Sequence, residues 1–170
     1  MKRNSIQFLL ALLLVCISAA VIGQGPNPDP RPFMGNMSGE AVFVTTDACS
    51  TITTAPWQTV SSMEGNLTHL GRSQYYSTHC STLDGTSLVN GEATLVAANG
   101  DEVWLTYTAT LVGPFPAPVL MYEVTNVVVG GTGRFEDASG EILSLVFVTL
   151  GDLTDPTAPI EMDFAGEFTY

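Results

Sequence analysis

Histidine, arginine and cysteine are scarce in this chain, so each is a candidate for chemistry. The two histidines are His69 and His79, and the cysteines are Cys16, Cys49 and Cys80. His69 and His79 could in principle share a metal with Cys80 and Asp84. If residues 61–70 and 74–82 form a hairpin turning near Gly71-Arg72, His69 lies near the turn and pairs around Tyr75. His79 then lies on the order of 13 Å further along at the usual strand rise, so the spacing argues against a shared metal. We expect neither a metal nor a cofactor. No Gly-x-Ser-x-Gly elbow is present, and only two histidines could serve a nucleophilic triad as base. Arg72 and Arg134 read as ion-pair or backbone-bridging residues before they read as an anion site. Aromatics at Trp57, Tyr75, Tyr76, Trp104, Tyr107 and Tyr122 are mainly core candidates. From these sets, His69, Arg72, Tyr76, Trp104 and Tyr107 are the candidates for lining a pocket.

The compartment follows from the N-terminus. Lys2 and Arg3 precede an almost wholly apolar run from Phe8 to Ile22, and small residues follow at Ser18, Ala19, Ala20 and Gly23. Residues 1–23 therefore read as a secretory signal peptide, with secretion or a periplasmic location to follow and no membrane attachment after cleavage. A spanning helix needs about 20 apolar residues, more than this run supplies. A lipoprotein would need a small residue where Val15 precedes Cys16.

Cleavage removes Lys2 and Arg3 and takes the formal charge from −12 to about −14. Arg31, Arg72 and Arg134 are then the only fixed cations. Phosphate binding needs clustered Lys and Arg, so nucleic acid and anionic membrane surfaces are excluded as partners. Asp152, Asp155, Glu161 and Asp163 offer carboxylates, but without the spaced ligands and pivot glycine of a calcium loop. Cys16 leaves with the signal, and Cys49 and Cys80 remain as an even pair in an oxidising compartment. They are predicted to form a disulfide. Asn36-Met-Ser38 and Asn66-Leu-Thr68 match the glycosylation acceptor pattern.

These residues must be held by strands. Residues 24–34, rich in proline, read as a flexible leader, and residues 35–170 as one domain. Alternation puts Met162, Phe164, Phe168 and Tyr170 on one face of a strand at 160–170, and Val103, Leu105, Tyr107, Ala109 and Leu111 on one face at 102–112. Further strands fall at 39–46, 61–70, 74–82, 91–98, 120–129 and 141–150. Asn99-Gly100-Asp101 marks a tight hairpin, Asp84-Gly85 another turn, and the prolines of 113–118 a loop. The segment 141–150 is apolar on both faces: Ile142, Val146, Val148 and Leu150 on one, Leu143, Leu145 and Phe147 on the other. A strand of that kind is buried on both sides, which points to a covering loop or to a homo-oligomer through Glu141–Leu150. Eight short strands favour an all-β, antiparallel eight-stranded barrel, because closure removes exposed edges.

The run Gly130-Gly131-Thr-Gly133-Arg-Phe135-Glu-Asp-Ala138-Ser-Gly140 is not a dinucleotide fingerprint, since Glu136 stands where its third glycine would be. It reads instead as a structural glycine turn that lets Phe135 pack inward. It resembles the glycine-rich strand connection of the allene oxide cyclase and dirigent families. A second echo is the hairpin from Gly91 into Trp104-Leu-Thr-Tyr107. With Gly65–Arg72 and the closing Gly166–Tyr170, the pattern is similar to secreted bacterial proteins of that barrel type. The resemblance implies a calycin-like eight-stranded barrel and carries over no catalytic residue. Three functions are compatible with such a barrel. The first is a non-catalytic module binding a small apolar ligand. The others are an isomerase or cyclase acting in the cavity, and a structural protein working through its surface.

Overall fold

A computed structural model describes residues 29–52, 57–151 and 155–170. The expected signal peptide, Cys16, residues 24–28 of the expected leader and Asp152 lie outside the described residues. Eight strands follow one another: β1 (Arg31–Thr45), β2 (Trp57–Leu67), β3 (Gly71–Ser81), β4 (Ser87–Val96), β5 (Glu102–Leu111), β6 (Val119–Gly131), β7 (Ser139–Thr149) and β8 (Thr157–Thr169). Each is hydrogen-bonded to the next, and β8 returns to β1, which makes a closed antiparallel barrel in strict sequence order. The expected fold class is thus observed. Alternation explains it: on β5, Val103, Leu105, Tyr107 and Ala109 are buried while Trp104, Thr106, Thr108 and Thr110 face out.

The two ends of the barrel differ. At one end the connections are the short segments 68–70, 97–101 and 132–138, and the interior is plugged by aromatic rings. Phe33 meets Phe164 and Phe168 edge-on, and Phe135 packs against Phe168 and Tyr170. Arg134 lies over the Phe135 ring and Arg31 over that of Tyr170. The glycine run builds this plug. Gly133 has φ +56°, and a Cβ there would lie 2.2 Å from the Asp101 carboxylate. Gly131 has the backbone oxygen of Glu102 at 2.0 Å from where a Cβ would be, so it tolerates no side chain, whereas at Gly133 the left-handed φ disfavours one and Asp101 would have to move. Gly130 and Gly140 also hold positive φ. Phe135 is wholly buried, as the sequence predicts.

At the other end the connections run 46–56, 82–86, 112–118 and 150–156. The Cys49–Cys80 disulfide is present there, with Cα atoms 5.5 Å apart, and it ties the connection after β1 to the end of β3. A bridge across a separation of 31 residues contributes about 3–4 kcal/mol by restricting the unfolded chain. The inward positions near this end mix small residues, among them Ala41, Thr59, Ala109 and Ala158, with larger ones such as Leu88, Leu120 and Val148.

Three expectations are corrected. The leader does not extend to residue 34: β1 begins at Arg31, pairs Arg31 with Phe168, and buries Phe33 completely. Proline tolerates this place because its backbone faces the β2–β3 turn and not β8. Its carbonyl accepts from His69 Nε2 at 2.9 Å and from the Thr68 hydroxyl, so no ladder bond is lost. The β2–β3 turn comes earlier than expected, at 68–70. His69 lies in it with φ +67°, and Tyr75 pairs with Met63. The third is the covering loop, one of the two alternatives for the outer face of β7. Ile142, Val146 and Val148 point inward as expected, but within this chain the outer Leu143 is 49% exposed and Leu145 39%.

Candidate functional site

The interior carries a polar cluster that period-two patterning did not single out. On β3 the inward residues are Ser73, Tyr75, Ser77 and His79, all buried. Opposite, the Tyr107 ring of β5 reaches across β4, which it can do because Gly91 carries no side chain. A Cβ on Gly91 would lie 2.5 Å from that ring. His79 Nδ1 and Tyr107 Oη are hydrogen-bonded at 2.8 Å, with the rings edge to face at 5.9 Å. Thr59 pairs with His79 across β2 and β3, and Asn126 pairs with Tyr107 across β5 and β6. Asn126 Nδ2 donates to Ile142 O and to Ser144 Oγ at 3.0 and 2.8 Å. The cluster belongs to the half of the barrel towards the disulfide, because His79 immediately precedes Cys80.

Ionisation is suppressed throughout the cluster. Burial lowers the His79 pKa to about 4, so its imidazole is neutral at pH 7. Burial raises Tyr107 to about 12 and raises Tyr75 well above its ordinary value. The neighbouring Tyr107 adds to the Tyr75 shift. Among the described residues, three buried polar atoms make no well-formed hydrogen bond: Thr59 Oγ1, Asn126 Oδ1 and Tyr75 Oη, the last still interacting with the neighbouring Ser77 and Tyr107 hydroxyls. Burying such an atom unpaired costs roughly 1–3 kcal/mol, so apolar substitutes would make a more stable barrel. Chemically, the arrangement is a set of neutral donors and acceptors inside an otherwise apolar core.

The five expected pocket residues do not converge. Only Tyr107 lies in the interior. His69 is in the turn at the plugged end, with its backbone carbonyl accepting from Arg134, and so lies at the far end of β3 from His79. Arg72 is exposed and paired with Glu64 at 3.1 Å. Arg134 also approaches Asp101 at 4.0 Å, so both arginines hold protein groups. Tyr76 and Trp104 come together on the outer wall, where both border a hollow of about 510 Å³. His79, Tyr75, Ser77, Thr59 and Asn126 are the interior residues missing from that set.

The molecule is therefore a closed antiparallel barrel with a neutral polar cluster inside one half and an aromatic plug at the other end. The chain matches no protein-family model and no curated protein sequence. Among solved structures it is similar to a pterocarpan synthase dirigent protein, at 16% identity over 86% of this chain and 88% of that one, with a TM-score of 0.45. The barrel described above rests on its own strand pairing.

Proposed function

We propose that this is an exported, non-catalytic binding barrel that holds a small, mainly apolar ligand through the His79–Tyr107–Tyr75 cluster. The observation that carries the reading is that Tyr75 Oη, Thr59 Oγ1 and Asn126 Oδ1 are buried in a mainly apolar interior without a well-formed hydrogen bond among the described residues. Polar groups kept there at a cost in stability suit a ligand with one or two polar atoms on an apolar body. The ionisation states support binding over catalysis. A general acid or base works best with a pKa near the operating pH, whereas His79 is pushed down to about 4 and Tyr107 up to about 12. The disulfide supports an oxidising compartment and hence export.

Native mass spectrometry tests this on protein purified gently from its own host, before and after mild organic extraction. A defined added mass should leave on extraction, and its occupancy should fall in Tyr75→Phe and stay unchanged in Trp104→Ala. A bare protein mass from the host, or an adduct indifferent to Tyr75, would overturn it. The exposed Leu143 and Leu145 further support self-association through β7. Sedimentation of the native protein against Leu143→Glu checks that reading.

A further inference from the structure

We propose that the outer wall of β3, β4 and β5 is a second binding site, for an extended neutral glycan, independent of the interior. Strand register sets out its geometry. Ser62, Tyr76, Thr94 and Trp104 lie in one row across β2, β3, β4 and β5, and Thr78, Glu92 and Thr106 form the next row. Both rows line the 510 Å³ hollow. Tyr76 and Trp104 thus flank Thr94 two strand spacings apart, about 10 Å.

Each ring is fixed in the same way. Tyr76 Oη donates to Gln74 Oε1 at 3.0 Å, and Trp104 Nε1 donates to Glu102 Oε2 at 2.8 Å. In both, the polar tip is tied to the side chain two residues earlier on the same face of the same strand. That leans each ring along its strand with apolar surface towards solvent, and the two remain 46% and 42% exposed. Two pre-set platforms with the Thr94 hydroxyl between them, and further hydroxyls and the exposed Val60 and Val129 around them, suit a sugar chain. The apolar faces of alternate pyranoses stack on the rings, and their hydroxyls meet Ser62, Thr78, Thr94 and Thr106. About 10 Å is near the two-sugar repeat of an extended β-linked chain. Charge restricts the ligand further: Glu92 lines the hollow, no arginine is among the described lining residues, and the protein is strongly acidic, so an anionic polysaccharide is repelled.

The chain has only two tryptophans, Trp57 and Trp104, so a Trp57→Phe background makes Trp104 the sole indole reporter. We would titrate this protein with cellohexaose, chitohexaose and, as charged comparator, an oligogalacturonate. The expected result is a saturable change in Trp104 fluorescence with a neutral hexasaccharide and none with the acidic one. Tyr76→Ala should weaken binding by roughly ten-fold or more, as should Thr94→Glu, which places a carboxylate between the rings, while Glu161→Gln, on the exposed face of β8, leaves it unchanged. No response to either neutral sugar, or a response that survives Tyr76→Ala, would overturn the proposal. So would sedimentation showing that the wild type self-associates and that Thr94→Glu dissociates it, since the wall would then be an interface between copies of this chain.

Discussion

Tyr75 and Tyr76 are adjacent, identical in chemistry and opposite in fate. Tyr75 is 1% exposed, pointed into the barrel, with its hydroxyl lacking a well-formed hydrogen bond among the described residues. Tyr76 is 46% exposed, pointed outward, with its hydroxyl satisfied by Gln74. The pleat alone separates them. The difference teaches that the two faces of β3 solve opposite problems. The inner face keeps polar atoms where they cost stability, and the outer face keeps an aromatic ring where water covers it. Each departs from what folding alone favours, and both proposals rest on those departures.

The widest separation should come from truncating each tyrosine. Tyr75→Ala should cost about 3–5 kcal/mol in denaturant unfolding, the range for large aromatic truncations in a packed core. Tyr76→Ala should stay within about 0.5 kcal/mol, as surface changes do. Equal losses would erase the comparison. Next in size is the disulfide, which anchors the end of β3 beside His79. Replacing Cys49 and Cys80 together with alanine should lower stability by about 3–4 kcal/mol, and thermal unfolding with and without reductant would check that.

The inner face should also titrate. His79 has a folded pKa of about 4 against an ordinary 6.5, so between those values the unfolded chain binds more protons. Stability should therefore be intact above pH 6.5, fall by about 3 kcal/mol as pH drops towards 4, and lose no more from this group below that. His79→Gln should flatten that part of the profile, and an unchanged slope would remove His79 from the account. The smallest effect is the most diagnostic. Tyr75→Phe should raise the stability of ligand-free protein by about 1 kcal/mol, since it deletes a buried hydroxyl without a well-formed hydrogen bond. A loss of stability would show that Tyr75 Oη is satisfied within the protein.

Most of the barrel was legible because its strands alternate. β5 and β8 state their inner faces openly, and the Asn99-Gly100 and Asp84-Gly85 turns fall where expected. The interior cluster was hidden because β3 is polar on both faces. Ser73, Tyr75, Ser77 and His79 inside are matched by Arg72, Gln74, Tyr76 and Thr78 outside, and period-two patterning needs a contrast. The reach of Tyr107 to His79 depends on the missing side chain at Gly91, a property of neighbouring strands that no single segment carries. The start of β1 was hidden by Pro30 and Pro32, whose residue type signals a linker. The outer pair was legible by type, since Tyr76 and Trp104 were both singled out. Their shared row was not, because it depends on register across three strands.

Closure of the barrel also has a consequence for how the chain could be rewired. β1 and β8 lie side by side, and Arg31 donates from its guanidinium to the Tyr170 hydroxyl at 3.1 Å. The two extremes of the barrel sequence therefore meet at the plugged end, remote from the disulfide. A short peptide joining residue 170 to residue 31, with new termini opened at the Asn99-Gly100 turn, would give a circular permutant with every strand still beside its present neighbours.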